Sequence, residues 1–426
     1  MRVRLAYGRS GLEIEVPRDR TTVIEPIQAP PLADPDAALT AALRAPVAGP
    51  PLRQLARPGQ TAAISVCDVT RAQPRREMIG AVLRELDGVV RPEDVTILVA
   101  TGTHRANTEP ELRAMLGGGI LGACRVINHD ARDDSSLVDL GQSGKAVPTR
   151  LCRHWLEADL RITTGFVEPH FFAGFSGGPK MVAPGLAGLD TVLTLHDAAR
   201  VGDSRSTWGI IDENPMHSDI RAIAARSEAK PHFSMDVLLD RQQRITHVFA
   251  GELFEMHARA CAAARPIAMA ATDHPFEVVV TTNSGYPLDQ NLYQAVKGMS
   301  AAAQVVKDGG TILCAAECSD GIPDHGRYAE LLGRGDSPEE LLAQIEARPV
   351  TEPDQWQVQV QALIQRRARV LVKADGLSVE QLAAAHFEPA ADLDAALAEC
   401  VAGRPEARVC VLPEGPQTIP YVAAAA

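Results

Sequence analysis

The sequence has no apolar run long enough to span a bilayer. Its opening residues, MRVRLAYGRSGLEIEV, alternate charge and apolarity and contain no secretory hydrophobic core. A cytoplasmic protein without a membrane partner is therefore expected. No Lys/Arg run offsets the net charge of −12, which argues against nucleic acid as a partner. The eight cysteines lack metal-ligand spacing. Even the nearest pair, Cys314 and Cys318, sits at a strand end and reads as buried reduced thiols. Internal repeats are absent, and low complexity is confined to the AAAA tail. What remains, 46% hydrophobic and 23% charged, is the make-up of an ordinary globular protein, and 426 residues call for more than one domain.

Along the chain, residues 1 to 60 begin strand-like and then turn Pro/Ala-rich (QAPPLADPDAAL, APVAGPPL), which reads as extended linker. Strands and helices then alternate. QTAAISV (60–66) has the pattern of a buried strand, RREMIGAVLREL (75–86) that of an amphipathic helix, and DVTILVA (94–100) that of a second strand. Thr108 and Glu111 have capping-box spacing before ELRAML, and RVINH and LRITTGFV add strands. A second series holds FEVVVTT (276–282), a long helix over 288–306, GGTILCAAEC (309–318), ARVLVKA and ARVCVLPEG. Ser337, Pro338 and Glu340 mark a further helix start. The expected fold is α/β with two domains, each a mostly parallel sheet flanked by helices. The first covers 1–270, with the segment 411–426 packing back on it. The second covers 275–408 and contributes the helix 288–306. The active site is expected in the cleft between them.

In such sheets ligands bind beyond the carboxyl ends of the strands. The unusual polar residues fall there: Asp68 and Arg71 (DVTR) after 60–66, His104 (TGTHR) after 94–100, Glu168 and His170 (VEPHFFAGFSGGPK) after 160–167, and Asn283 and Gln290 after 276–282. Any one of these also reads as a turn with a capping residue, but four at corresponding places point to a site. The stretch 165–188 holds six glycines, His170 and Lys180 without helical or strand period. Such glycines let the backbone approach a ligand and offer N–H groups to phosphate. A nucleotide-hydrolysing loop fails here, because Pro179 separates Gly178 from Lys180 and Met181 replaces the magnesium-binding hydroxyl. The GxGxxG at Gly117, Gly119 and Gly122 follows a helix and reads as its terminating loop. On the helix after Asn283, Leu288, Leu292, Ala295 and Met299 share one face. Gln290, Gln294 and Lys297 share the other, with Tyr293 at the edge. That stripe is either a solvated face or a substrate wall. Of the twelve histidines, His129, His154, His232, His247, His257, His274, His325 and His386 read as ordinary. His217 lies near a helix start, and His196 (TLHDAAR) is set apart only by closeness to the glycine-rich stretch.

Taken together, DVTR, TGTHR, EPHFFAGFSGGPK, APGLAG, TLH and DQNLYQAVKGM resemble the signature set of the nickel-pincer-dependent lactate racemases and related 2-hydroxy-acid racemases and epimerases. The motifs come in the family's order over residues 60 to 300. The resemblance implies racemisation or epimerisation at C2 of a small 2-hydroxy acid. The implied cofactor is a nickel-pincer nucleotide, pyridinium-3-thioamide-5-thiocarboxylic acid mononucleotide with nickel. Lys180 would bond it covalently through a thioamide, with Asp68, Gly177 and Gly178 supporting it and His196 as the protein's nickel ligand. His104 and His170 match the two general bases. Arg71 and Lys297 match the carboxylate clamp, with Gln294 and Tyr293 beside them, and Phe172 and Trp356 are expected against the substrate's side chain. The aromatic wall favours a short aliphatic substituent. Cofactor-biosynthesis enzymes are implied as cellular partners, and oligomeric state is left open. Pro179 departs from the family's usual Gly, Ala or Arg before the lysine.

The chemistry explains these residue types. The C2 hydrogen beside a carboxylate is a poor acid, so it leaves more readily as hydride while the hydroxyl loses its proton to a histidine. Return of the hydride to the other face of the keto acid needs a second histidine on the opposite side. An arginine can grip the carboxylate through two parallel hydrogen bonds while the ketone turns. The main competing reading is a zinc hydrolase built on His104, His170 and His196, which leaves Lys180 and the Arg71/Lys297 pair without a task. A nicotinamide dehydrogenase lacks its strand–GxGxxG–helix fingerprint. In a non-enzymatic anion-binding protein the histidines and lysine would be surplus.

Overall fold

A computed structural model describes residues 1–227, 229–323 and 326–423; His325 and the end of the alanine tail lie outside the described residues. The chain divides into two compact units. One comprises 28–196 and 205–265, the other 1–27, 197–204 and 266–426.

In the first unit the Ala62–Cys67 strand is buried along its whole length, as a strand covered on both faces must be. It pairs in parallel with Val95–Ala100 and with Leu160–Phe166. The six-stranded sheet, numbered by chain order, runs 3-2-1-4-5-6 from Arg125–Asn128 to Ile245–Gly251. Only the last pair is antiparallel. The order reverses between Ala62–Cys67 and Leu160–Phe166, the place where doubly wound sheets open a crevice for ligands. The Arg75–Leu86 helix turns Met78, Ile79, Val82 and Leu86 into the core with helical spacing, against Ile64, Val66, Ile97 and Val99.

The second unit has its own six-stranded sheet: Glu388–Pro389, Arg369–Lys373, Val306–Ala315, Phe276–Thr282, Val409–Leu412 and Thr21–Val23, all parallel. Its core joins Val278, Val280, Leu313, Val409 and Val411 to Leu5 and Ile14 of the N-terminal hairpin Arg2–Leu5/Leu12–Glu15.

The α/β architecture with two mostly parallel sheets is as expected, but five expectations are corrected. Residues 1–27 belong to the second unit, because Thr21–Val23 pairs with Val409–Leu412. The C-terminal segment stays in that same unit, its Ile419–Val422 strand pairing with Met269–Thr272. The Pro/Ala-rich "linker" folds in part into the Pro35–Arg44 helix. Asp34 caps it by accepting from Ala37 N–H at 2.9 Å, and Leu39 and Leu43 are buried. The glycines after ELRAML end the first helix at Gly117 (φ 80, ψ 157), as expected, but a second short helix rather than a loop follows to Ala123. The helix expected over 288–306 spans only Leu292–Ala302, because Asn291 caps it by accepting from Gln294 N–H at 3.0 Å. Gln290 thus precedes the helix, and Leu288 is exposed rather than part of its buried face.

Candidate active site

In the first unit three loops leave the carboxyl ends of neighbouring strands and are bonded to one another. Met181 O, in the lysine loop, accepts from Ser65 Oγ at 2.8 Å. Gly102 N–H, in the His104 loop, donates to Gly185 O at 3.0 Å. Asp68 and His104 join the first two loops directly, with Nδ1 of the ring 2.6 Å from Oδ2. These contacts put the DVTR, TGTHR and GGPK motifs around the switch point of the sheet.

Asp68 is buried while the His104 side chain is half exposed. Burial by itself would raise the Asp68 carboxyl. Hydrogen bonds from His104 and Thr70 and the charge of Arg71 outweigh it and hold the group below its ordinary value. A carboxylate only accepts, so the His104 proton sits on Nδ1 and Nε2 carries the lone pair. His170 is wired in the opposite sense. Its Nδ1 accepts from the backbone N–H of Phe172 at 3.2 Å and of Ala173 at 3.3 Å, so the neutral ring carries its proton on Nε2. One ring presents a base and the other a donor.

His196 closes the Leu189–Leu195 helix, and its Nδ1–H donates to Val192 O at 2.8 Å. The Nε2 lone pair is the metal-ligating form, with the other nitrogen oriented by a carbonyl as metal-bound histidines commonly are. Phe172 packs edge-on against His196 at 5.8 Å and lies 5.8 Å from the His170 ring. Histidine, phenylalanine and histidine thus form one chain of rings. Phe171 extends it to Trp208. Among the described residues, no three His, Cys, Asp or Glu side chains gather as a metal-ligating group, so the histidine-triad hydrolase finds no ligand cluster.

Lys180 lies in the short 3-10 turn Gly178–Met181, where Pro179 occupies an early position that needs no N–H. Gly177 (φ 75) and Gly178 (φ 50) adopt left-handed backbone. A side chain at Gly177 would strike Asp236, and one at Gly178 the His257 ring. The expectation that Gly178 offers its N–H to a phosphate is corrected: that N–H donates to Asp236 Oδ2 at 2.7 Å. The glycines seat the lysine turn on buried side chains. His257 Nε2 is 2.9 Å from Ser176 O, and the His217 ring stacks on it at 5.7 Å. Burial, helped by Arg221 and Lys180, pushes His217 down to about 3 and His257 to about 4, so both are neutral at ordinary pH.

In the second unit the remaining expected residues come together. Lys297 Nζ donates to Gln294 Oε1 at 2.6 Å, and Trp356 Nε1 to Tyr293 Oη at 3.3 Å. Gln357 holds the Tyr293 carbonyl at 2.5 Å.

Arg75, Asp236 and His257 were not singled out in the sequence, although each left a signal. Arg75 is a cation at the first position of a helix, against the dipole. Asp236 is a lone carboxylate within the apolar strand His232–Leu239. His257 falls on the buried face of its helix with Leu253, Met256 and Cys261.

Comparison with known proteins gives the family. Residues 7–209 match the lactate racemase N-terminal domain and 271–419 the lactate racemase C-terminal domain. The chain belongs to the lactate racemase family. It is 33% identical to lactate racemase of Thermoanaerobacterium thermosaccharolyticum, with 98% of both chains covered. It is 37% identical to lactate racemase of Lactiplantibacillus plantarum, with 87% of each covered. The lactate racemase apoprotein structure from T. thermosaccharolyticum superposes with a TM-score of 0.92 over the full length of both chains at 30% identity. A Thermotoga maritima protein, 16% identical with a TM-score of 0.67 over 93% of this chain, shares the fold. Among the described residues no helix is long and apolar enough to cross a membrane.

Proposed function

We propose that this chain is a racemase that inverts C2 of lactate or another short-chain aliphatic 2-hydroxy acid. The opposite tautomers of His104 and His170 carry this reading. Inversion through a ketone needs a group that takes the hydroxyl proton on one side and a group that gives one on the other. The same catalyst must work in both directions, so the reverse reaction starts from the protonation states that the forward one leaves, each ring taking and giving its proton at its own Nε2.

The residues fit a nickel-pincer nucleotide, bonded covalently to the Lys180 amine and ligated by Nε2 of His196. The donor set supports it: an amine on a short 3-10 turn and an imidazole in its metal-binding tautomer, with no cluster of three His, Cys, Asp or Glu side chains among the described residues. When bound, the cofactor would accept the C2 hydride and return it. Everything else falls to side chains of the chain. Asp68 accepts from His104 Nδ1–H and so keeps the ring oriented, with its lone pair on Nε2. Gly177 and Gly178 seat the lysine turn. Arg71 and Lys297 hold the substrate carboxylate, Gln294 and Tyr293 orient the Lys297 side, and Phe172 and Trp356 contact the short substituent. Loading requires cofactor-biosynthesis enzymes as cellular partners.

A chiral assay of cofactor-loaded protein over a panel of 2-hydroxy acids tests the reading. Racemisation of lactate or a close homologue is expected, with a primary isotope effect for C2-deuterated substrate and no loss of the label to water. Wash-out of deuterium would indicate carbanion chemistry and remove the hydride mechanism.

A further inference from the structure

Arg75 has no part in the chemistry proposed above, yet it sits beneath the turn that carries Asp68 and Arg71. Its guanidinium is buried, 7% exposed, with no carboxylate among its hydrogen-bond partners. It donates instead to four backbone carbonyls: Cys67 O at 2.7 Å, Gln73 O at 3.1 Å, Arg71 O at 2.8 Å, and Asp68 O. Those carbonyls belong to a single turn, which holds Asp68 and Arg71. A planar fork with five N–H groups can gather several acceptors at fixed angles, which a lysine cannot.

The place is a costly one for a cation, and the nearby Asp68 charge offsets only part of that cost. Arg75 is the first residue of its helix, where a positive charge opposes the dipole, and burial costs it hydration. Gln73 closes the turn from within, its Oε1 accepting from Cys67 N–H at 2.7 Å and its Nε2 donating to Thr164 Oγ1 at 2.8 Å. Val69 N–H donates to Asn107 Oδ1 at 2.9 Å, so the turn is also tied to the loop of His104. The Asp68–His104 bond depends on both loops keeping their places.

We propose that Arg75 is a positioning residue for proton transfer: it fixes the turn so that Asp68 orients the His104 ring and Arg71 faces the substrate carboxylate. This rests on the racemase reading above. Its effect is exerted through Asp68 and Arg71, without contact to substrate.

The test compares wild type with Arg75→Lys, which keeps the charge but not the fork. In the loaded enzyme a fall in kcat/KM of about tenfold to a hundredfold is expected, since small displacements of reacting groups have effects of that size. In full-length protein without cofactor, 15N-histidine spectra should show His104 lose its single Nδ1–H tautomer, with the signal assigned through His104→Gln. Arg75→Gln, which has no charge to bury, replaces Arg75→Lys if the lysine variant does not fold. A folded variant with wild-type kcat/KM and wild-type His104 nitrogen shifts would overturn the proposal. Loss of folding in both variants would also overturn it, making Arg75 a residue of stability alone. If wild type racemises no 2-hydroxy acid, the functional reading falls, and the histidine spectra still decide for or against Arg75.

Discussion

His104 and Asp68 meet at 2.6 Å through Nδ1 and Oδ2, while His170 receives two backbone N–H groups on its own Nδ1. The two rings are therefore held in different neutral tautomers by partners that cannot exchange roles: a carboxylate never donates and an amide N–H never accepts. Nitrogen-15 spectra at a pH where both rings are neutral should report Nδ1–H for His104 and Nε2–H for His170. Asp68→Asn should blur the His104 signature and lower turnover by about 10²-fold or more, the usual scale of a general acid–base group. His104→Ala and His170→Ala should each abolish racemisation without preventing cofactor attachment, seen by intact mass. Substantial turnover in either alanine variant would remove the two-histidine scheme.

Asp236 gives a pH dependence whose sign follows from its burial. Loss of hydration pushes its carboxyl up to about 7, only partly opposed by the Gly178 N–H. In the unfolded chain the group ionises near its ordinary value. The native state thus binds the extra proton, and its contribution is whole at low pH and lost as pH climbs from about 4 through about 7. The span is on the order of 4 kcal/mol. Asp236→Asn keeps an acceptor for Gly178 and cannot ionise. Urea midpoints should show it gaining on wild type between pH 5 and pH 8; an unchanged difference across that range would mean Asp236 is not protonated in the fold.

Much of this was legible in the residues because buried parallel strands and capped helices write themselves as apolar runs and end signals. The Arg75–Leu86 helix and the Phe276–Thr282 strand fall where the pattern put them. The N-terminal segment 1–27 was misassigned for a physical reason: the sheet it joins depends on Thr21–Val23 pairing with Val409–Leu412, nearly 400 residues away in sequence, and no local pattern encodes that partner. Asn291 was missed as a cap because Gln290 and Leu288 continue the helical period ahead of it. The motif residues around the lysine turn stood out by composition. The side chains beneath them did not, because Asp236 and His257 act through a backbone N–H and a packing surface that only the fold assembles.

Gly178→Ala probes that surface. The backbone there is left-handed (φ 50) and the new methyl would meet the His257 ring. Strain of this kind costs about 1–3 kcal/mol, so a lowered Tm is expected, together with less adduct at Lys180 because the turn must shift. Full adduct formation with wild-type Tm would show that the turn tolerates a side chain and that the glycine is not required for seating the lysine.

His196→Ala separates the metal from the tether. The variant loses the bond from Nδ1–H to Val192 O at the end of the Leu189–Leu195 helix, and a hydrogen bond of this kind is worth about 1 kcal/mol of stability. It should therefore fold. Because attachment is assigned to Lys180, protein produced together with the cofactor-biosynthesis enzymes should still carry the mass adduct. Elemental analysis should find markedly less nickel per adduct, since among the described residues no group of three His, Cys, Asp or Glu side chains could hold the metal instead. Lys180→Ala should do the reverse and remove the adduct itself. Nickel retained at wild-type stoichiometry in His196→Ala would put the protein ligand elsewhere, and an adduct surviving in Lys180→Ala would move the tether.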